Sequence, residues 1–510
     1  MGRFSEIDKG LVLFVLALLV GLALRLNGLA EQALSSFDEA AYILEGANIA
    51  GYEPSAPLYY ARPGYVTLIA GFRLLWDDPI ASARAVTLIS FVASMLILWV
   101  FVGRIYGKTA RNIAVIVFAV MPLNVYYGRL IYPDVLAAGL LLASIMFFLQ
   151  AIAPCISESG KIRQKTQEVS RGWLLAAGFF AGYFVTVGSY RVAPVLAAVV
   201  AVCLITLFRL RGNDAKLKTK TFLAVLAALV PVVLFQVQFD FLDQMFNLAF
   251  LYPRESGTGL INVDPIYYLH VLIYFFIPVA LYLVAFALLQ LGSWRSGINT
   301  ALSSLSEPRY QLLVVISVLP ALFHTFYALR GVKLLTPSLP WIAIFFALGL
   351  ARVPNSMVRN GLIGLSAILF IFQSQKVTHD MGYSGLYELA DVAGQIPGVI
   401  VDNGGGWMLA VSSETLDPNV TQLVPYWWCE WAPQICDTKY KIMSTEQLNA
   451  LDPIVKDQYE ILSTHEVTMG KHAAHLSYLE EAAMPPVMKL ESIWQKKTAL
   501  TRHWNIVQQR

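Results

Sequence analysis

Long apolar runs recur along most of the chain, and the loops between them alternate in charge; no other property so limits the folds open to it. A helix needs roughly 20 apolar residues to cross the hydrocarbon core of a bilayer. Suitable stretches lie at 11–29, 80–102, 111–127, 134–153, 172–188, 191–208, 221–238, 266–291, 311–328, 334–350 and 358–374. The hydropathy therefore predicts about eleven spanning helices. Arg25 falls near the end of the first run, where a long side chain can snorkel to the interface. The run at 65–76 is too short to span and carries Arg73, so it reads as an interfacial or re-entrant helix. Only 14% of the 510 residues are charged and 57% are hydrophobic. An average soluble chain is about 25% charged, so this one cannot cover a water-facing surface. A net charge of +3 is too small to point to nucleic acid.

Loop charge sets the orientation. With the N-terminus inside, the cytoplasmic loops hold Arg104, Lys108 and Arg111; Lys161, Arg163, Lys165 and Arg171; Arg209, Arg211, Lys216, Lys218 and Lys220; Arg295 and Arg309; and Arg352 and Arg359. Every second loop is basic, as the positive-inside rule requires. The first run lacks a small-x-small cleavage site, so no cleavable signal peptide is expected.

Two domains are expected, 1–377 in the membrane and 378–510 outside it. The second is mixed in polarity. Its 387–393 stretch looks helical, 398–402 reads as a buried strand, and Gly404-Gly405-Gly406 reads as a turn. An odd number of spans puts this α/β domain in the extracytoplasmic space. There Cys429 and Cys436 are close enough in sequence to pair, and Asn419-Val420-Thr421 is a glycosylation sequon that matters only in a host that uses it. Trp427, Trp428 and Trp431 read as packing or membrane contact, with a sugar-stacking platform as the alternative.

Four clusters fall on the same outer side. Ser35-Ser36-Phe37-Asp38-Glu39-Ala40-Ala41-Tyr42 puts two adjacent carboxylates just past the first span. Pro57-Leu58-Tyr59-Tyr60-Ala61-Arg62-Pro63-Gly64 precedes the short helix. Tyr126-Tyr127-Gly128-Arg129-Leu130-Ile131-Tyr132-Pro133-Asp134 joins two spans, and Arg330-Gly331-Val332-Lys333 precedes a late one. Each has a plainer reading. Ser35 or Ser36 can cap a helix whose dipole favours Asp38 and Glu39, and Asp134 can do the same after Pro133. Arg129 and Arg191 can simply anchor the interface. Arg330 and Lys333 run against the positive-inside pattern, which favours a functional role for at least one of them.

In this order and on this side, the clusters resemble the polytopic GT-C glycosyltransferases, and within them the group that holds protein O-mannosyltransferases and the aminoarabinose transferase of lipid A. Asp38, Glu39 and Tyr42 match its acidic first loop. Arg62-Pro63 match its basic-proline stretch, with Gly64 where a second proline is common. Pro133-Asp134 match its later carboxylate, and Arg330 or Lys333 its basic residue before a proline-containing span. The resemblance covers about residues 10–350. It implies a GT-C-like membrane domain that transfers a sugar from a polyprenyl-phosphate donor, inverting C1, to an extracytoplasmic lipid, glycan or protein. It also implies an integral protein of the plasma (inner) membrane, in contact with membrane lipids.

The chemistry asks for a base and for cations around the leaving phosphate. Asp38 is the candidate base, with Glu39 and Asp134 as further catalytic carboxylates. Arg62, Arg191, Arg330 and Lys333 are candidates for the phosphate. Tyr42, Tyr59, Tyr60 and Arg129 are candidates for substrate contact. Asp38, Glu39, Asp134 and a histidine (His270 or His324) have the make-up of a divalent-cation site, and the resemblance leaves the need for a metal open. A transporter or lipid flippase is the alternative, but it usually carries midplane ionisable groups and two similar halves. A scaffold protein would leave the paired acids and outer basic residues unexplained.

Overall fold

The computed structural model describes residues 9–30, 32, 34–52, 62–155, 169–188, 193–211, 215–240, 242–243, 307–325, 332–379, 381, 383–402, 411, 420–425, 438–469 and 500–510. The first part is a bundle of apolar helices. α1 is Lys9–Leu26, α2 Phe37–Ile49, α3 Pro63–Arg73 and α4 Pro79–Ile97, which runs on through a π-helical turn at Leu98–Val102. α5 is Lys108–Val120, α6 Pro122–Tyr127, α7 Asp134–Ile152 and α8 Arg171–Val187. α9 is Ala193–Arg211, α10 Ala215–Phe239 and α11 Pro308–Thr325. A 3-10 turn at Val332–Ser338 leads into α12, Leu339–Ala351, and α13 is Ser356–Thr378.

Among the described residues, six segments are long and apolar enough to cross a membrane, and three shorter apolar helices accompany them. The chain is an integral membrane protein. The expected span at 266–291 lies outside the described residues. The short run beginning at 65 is α3, and Pro63 sits in its first turn, where a missing N–H costs nothing.

Burial sorts the helices. The span that starts at Asp134 is 83% buried, against 6% for Ala215–Phe239 and 11% for Ser356–Thr378. α7 is therefore the axis of the bundle, while α10 and α13 turn their apolar faces outward, as lipid-facing helices do. α10 lies against α8 through Gly178 and Gly182, where an added Cβ would overlap the backbone carbonyls of Ala224 and Ala228. This four-residue spacing of glycines lets two helix backbones touch.

The run read as one span at 111–127 is two helices. Met121 is extended (ψ 123°) and Pro122 starts α6. The break frees carbonyls at the end of α5, and in a bilayer each unsatisfied group costs several kcal/mol. Three side chains from three helices take them. Asn124 Nδ2 donates to Phe118 O at 2.7 Å, Arg25 to Ala119 O at 3.1 Å, and Ser374 Oγ to Val120 O at 2.8 Å. Arg25 also donates to Gly21 O and Asn124 O, and its guanidinium lies 3.6 Å from the centre of the Phe91 ring. The expectation that Arg25 snorkels is thus corrected: it is fully buried, held by the carbonyls that the helix break exposes.

Beyond α13 a six-stranded sheet forms, β1 Tyr383–Ser384, β2 Gly398–Asp402, β3 Thr421–Pro425, β4 Tyr440–Ser444, β5 Tyr459–Met469 and β6 Leu500–Gln509. Its order is β1-β5-β6-β4-β2-β3. β2 is parallel to β3 and β4, and β6 is antiparallel to β4 and β5. The buried strand expected at 398–402 is β2, and the helical stretch before it is α14, Leu386–Gly394, which buries Leu386, Leu389, Ala390 and Ala393. The glycine turn, the two cysteines and the three tryptophans lie outside the described residues.

Candidate active site

The ends of α1, α2, α3, α6 and α7 meet with the Val332–Ser338 turn at one mouth of the bundle. Ser36 is the N-cap of α2, extended at φ −156° and ψ 157°, and its Oγ accepts the Glu39 N–H at 3.4 Å. Glu39 is the third helical residue, where a capping-box acid reaches back to the cap's own N–H. Here it reaches one residue further. Ser35 N–H and Oγ–H both donate to its Oε2 at 2.6 Å. Its Oε1 accepts the Ile131 N–H at 2.9 Å, across from the loop between α6 and α7. Glu39 is fully buried, so its carboxylate ties the start of α2 to that loop.

A second tie runs beside it. Ser36 Oγ and Tyr132 Oη are 2.8 Å apart. The Tyr42 ring meets Tyr65 edge-on at 5.4 Å and Tyr132 at 6.4 Å. Burial lifts the Tyr65 phenol above its usual range, opposed by its hydrogen bond to Thr87, and the charges of Glu39 and Asp134 add to the lift. Both carboxylates therefore act on one tyrosine.

Asp38 precedes Glu39 and faces elsewhere. Its Oδ2 lies 3.2 Å from Lys333 Nζ, and the two side chains are 24% and 25% exposed. The same ammonium stands 5.0 Å from the centre of the Tyr132 ring. Asp38, Lys333 and Tyr132 thus form one partly open group, with Ser36 and Glu39 fixing its base. Asp134, the first residue of α7, is buried nearby.

Arg62 is buried directly before α3. Gly64, at the place where a second proline is common in the resembling group, accepts a hydrogen bond from Tyr183 Oη at 2.8 Å. A Cβ there would collide with Thr186 Oγ, so close packing on α8 explains the glycine.

Arg129 is joined to the turn after α1. Its Nε donates to Gln32 Oε1 at 2.9 Å and its NH1 to Leu24 O and Asn27 O at 3.2 and 2.5 Å. Burial, with the like charge of Arg84, lowers its pKa to about 10. Arg84 donates to Leu29 O and Gln32 O, both at 2.6 Å. Arg84 and Gln32 were missed from sequence, although an arginine inside an apolar run is itself a signal. Tyr387 of α14 lies close enough to feel Arg84, Asp78 and Glu39; burial chiefly raises its pKa. The sheet therefore stands on the same side of the bundle as the mouth.

The structure brings Asp38, Glu39, Tyr42, Arg62, Arg129, Asp134 and Lys333 to this end of the bundle. Tyr59, Tyr60, Arg191, Arg330 and His270, and the side chain of His324, lie outside the described residues. Among the described residues, no group of three His, Cys, Asp or Glu side chains converges as metal ligands would.

A small apolar niche of about 10 Å³, room for roughly one water, lies beside the turn that carries Lys333. Leu141, Phe184, Val195, Pro320, Leu334 and Ser338 line it.

No protein-family model matches the chain, and no curated protein matches it by sequence. The fold is that of the GT-C membrane glycosyltransferases. The chain is similar to ArnT from Cupriavidus metallidurans bound to undecaprenyl phosphate, with TM-score 0.63 and 14% identity over 90% of this chain and 97% of that one. It is also similar to the archaeal oligosaccharyltransferase AglB from Archaeoglobus fulgidus in complex with an inhibitory peptide and a dolichol-phosphate. There the TM-score is 0.55 and the identity 14%, over 86% of this chain and 69% of that one.

Proposed function

We propose that this chain is an integral membrane glycosyltransferase that moves a sugar from a polyprenyl-phosphate donor to an extracytoplasmic acceptor. The observation that carries the reading is the Asp38–Lys333 pair, 3.2 Å apart at a partly open mouth. A carboxylate to take a proton and a cation to meet the leaving phosphate are what transfer from a lipid-phosphate donor requires. The solved structures of the same fold that hold undecaprenyl phosphate and dolichol-phosphate support the choice of donor class.

In this mechanism the acceptor's nucleophilic atom attacks C1 of the sugar from the face opposite the phosphate. Asp38 takes its proton as the new bond forms. The C1–O bond to phosphate breaks, its electron pair leaves on the phosphate oxygen, and the configuration at C1 inverts. Lys333 neutralises the charge that develops there, with Arg62, Arg191 and Arg330 as further cations. Asp134 is the second carboxylate, and Tyr42, Tyr59 and Tyr60 contact the sugar or acceptor. Arg129 ties the loop before α7 to the turn after α1.

Basic alternate loops support an outer mouth and a plasma (inner) membrane location. Residues 378–510 then form an extracytoplasmic domain beside the mouth, suited to acceptor choice. The test is Asp38→Asn in the detergent-purified chain, with a polyprenyl-phosphate sugar as donor. Transfer should fall at least about 100-fold, within the usual contribution of a general base. Undiminished turnover in a folded variant would remove Asp38 from the chemistry.

A further inference from the structure

The base and the phosphate cation of the proposed reaction are bound to each other. Lys333 Nζ sits 3.2 Å from Asp38 Oδ2 and 5.0 Å from the centre of the Tyr132 ring. While it stays there, the ammonium donates a hydrogen bond to Oδ2, so that oxygen is engaged rather than open to the acceptor's O–H or N–H. The phosphate must also compete for the same ammonium.

The two partners differ in freedom. Asp38 lies in the first turn of α2, and that turn is capped by Ser36 and tied down through Glu39 to Ser35 and Ile131. The backbone of Lys333 is likewise held, because its neighbours Val332 and Leu334 are buried. What remains movable is the four-carbon arm of the lysine, whose ammonium is a compact point charge without a fixed geometry. That arm springs from the Val332–Ser338 turn and is partly exposed at the mouth. A phosphate that reaches this mouth arrives within the sweep of the arm.

We propose that Lys333 is handed from Asp38 to the donor phosphate, so that the donor itself frees the base. This rests on the glycosyl-transfer reading above and adds an order to it: the donor binds first, and only then can Asp38 accept the acceptor's proton. A donor diester carries one negative charge and the released monoester nearly two. Lys333 therefore stays on the phosphate through transfer. It returns to Asp38 when the product lipid leaves, which closes the base to water between turnovers.

A double-mutant cycle on the full chain in detergent tests this, with undecaprenyl phosphate as the probe and its affinity as the readout. Lys333→Gln should weaken binding. Asp38→Asn should tighten binding about two- to five-fold, because a pair this exposed is worth at most about that factor. In the Lys333→Gln background, Asp38→Asn should change nothing. An equal gain in both backgrounds would mean simple charge repulsion by Asp38 and would overturn the hand-off while leaving the donor site intact. No gain in either background would overturn it as well. If Lys333→Gln leaves affinity unchanged, the donor-site reading of Lys333 itself fails. Melting curves confirm that each variant is folded, and Asp38→Ser replaces Asp38→Asn if the latter is not.

Discussion

Glu39 separates a brace from a chemical group. Its carboxylate accepts two bonds from Ser35 at 2.6 Å each and one from Ile131 at 2.9 Å, and it is fully buried. In Glu39→Gln one oxygen becomes an NH2 group, which cannot accept. The best arrangement keeps the amide oxygen on Ser35 and turns the NH2 toward the Ile131 N–H, leaving two donors face to face. One orphaned buried donor costs about 1–3 kcal/mol, and the upper half applies because bonds to an ionised acceptor are the stronger ones. Glu39→Ala orphans the Ile131 and Ser35 amides together and should cost about twice as much. Thermal unfolding in detergent, read with transfer activity, is the assay. The brace predicts that stability and activity decline in step, Ala below Gln. A Gln variant that melts with the wild type yet loses transfer as deeply as Asp38→Asn would refute the brace and make Glu39 a reacting group.

Two further outcomes follow from the packing. Arg25→Met leaves Ala119 O without its donor, while Asn124 O keeps the Gly128 N–H, and should lower stability by about 1–3 kcal/mol, the cost of one orphaned buried carbonyl; an unchanged melting temperature would show that the helix break needs no arginine. Gly182→Ile forces α8 off the Ala228 backbone and should lower the melting temperature while leaving α1–α7 assembled, as limited proteolysis of the loop after α8 would report.

The spans were legible because a bilayer admits so few backbones. The apolar runs at 134–153, 172–188 and 358–374 match α7, α8 and α13 within a few residues. A helix start with its two acids was legible too, from cap and dipole preferences that left Ser35 or Ser36 as the cap; the fold takes Ser36. Long-range pairings were not. Arg25 looked like an interfacial residue because nothing in residues 11–29 reveals that a proline 97 positions on will free carbonyls beside it. The break itself was hidden inside a run whose composition suits a single helix. Sequence placed Asp38 and Lys333 on one side but left them 295 residues apart, and only the fold brings them to 3.2 Å. It also could not divide the two acids: one residue's difference in α2 turns Glu39 inward to the 131 loop and Asp38 toward the mouth.

The central claim is that donor phosphate is read at the Asp38–Lys333 mouth, and a density map of the full chain with bound undecaprenyl phosphate tests it most directly. The account predicts phosphate density in salt-bridge contact with Lys333 Nζ. Phosphate density at the opposite end of the bundle, away from Asp38 and Lys333, would contradict it.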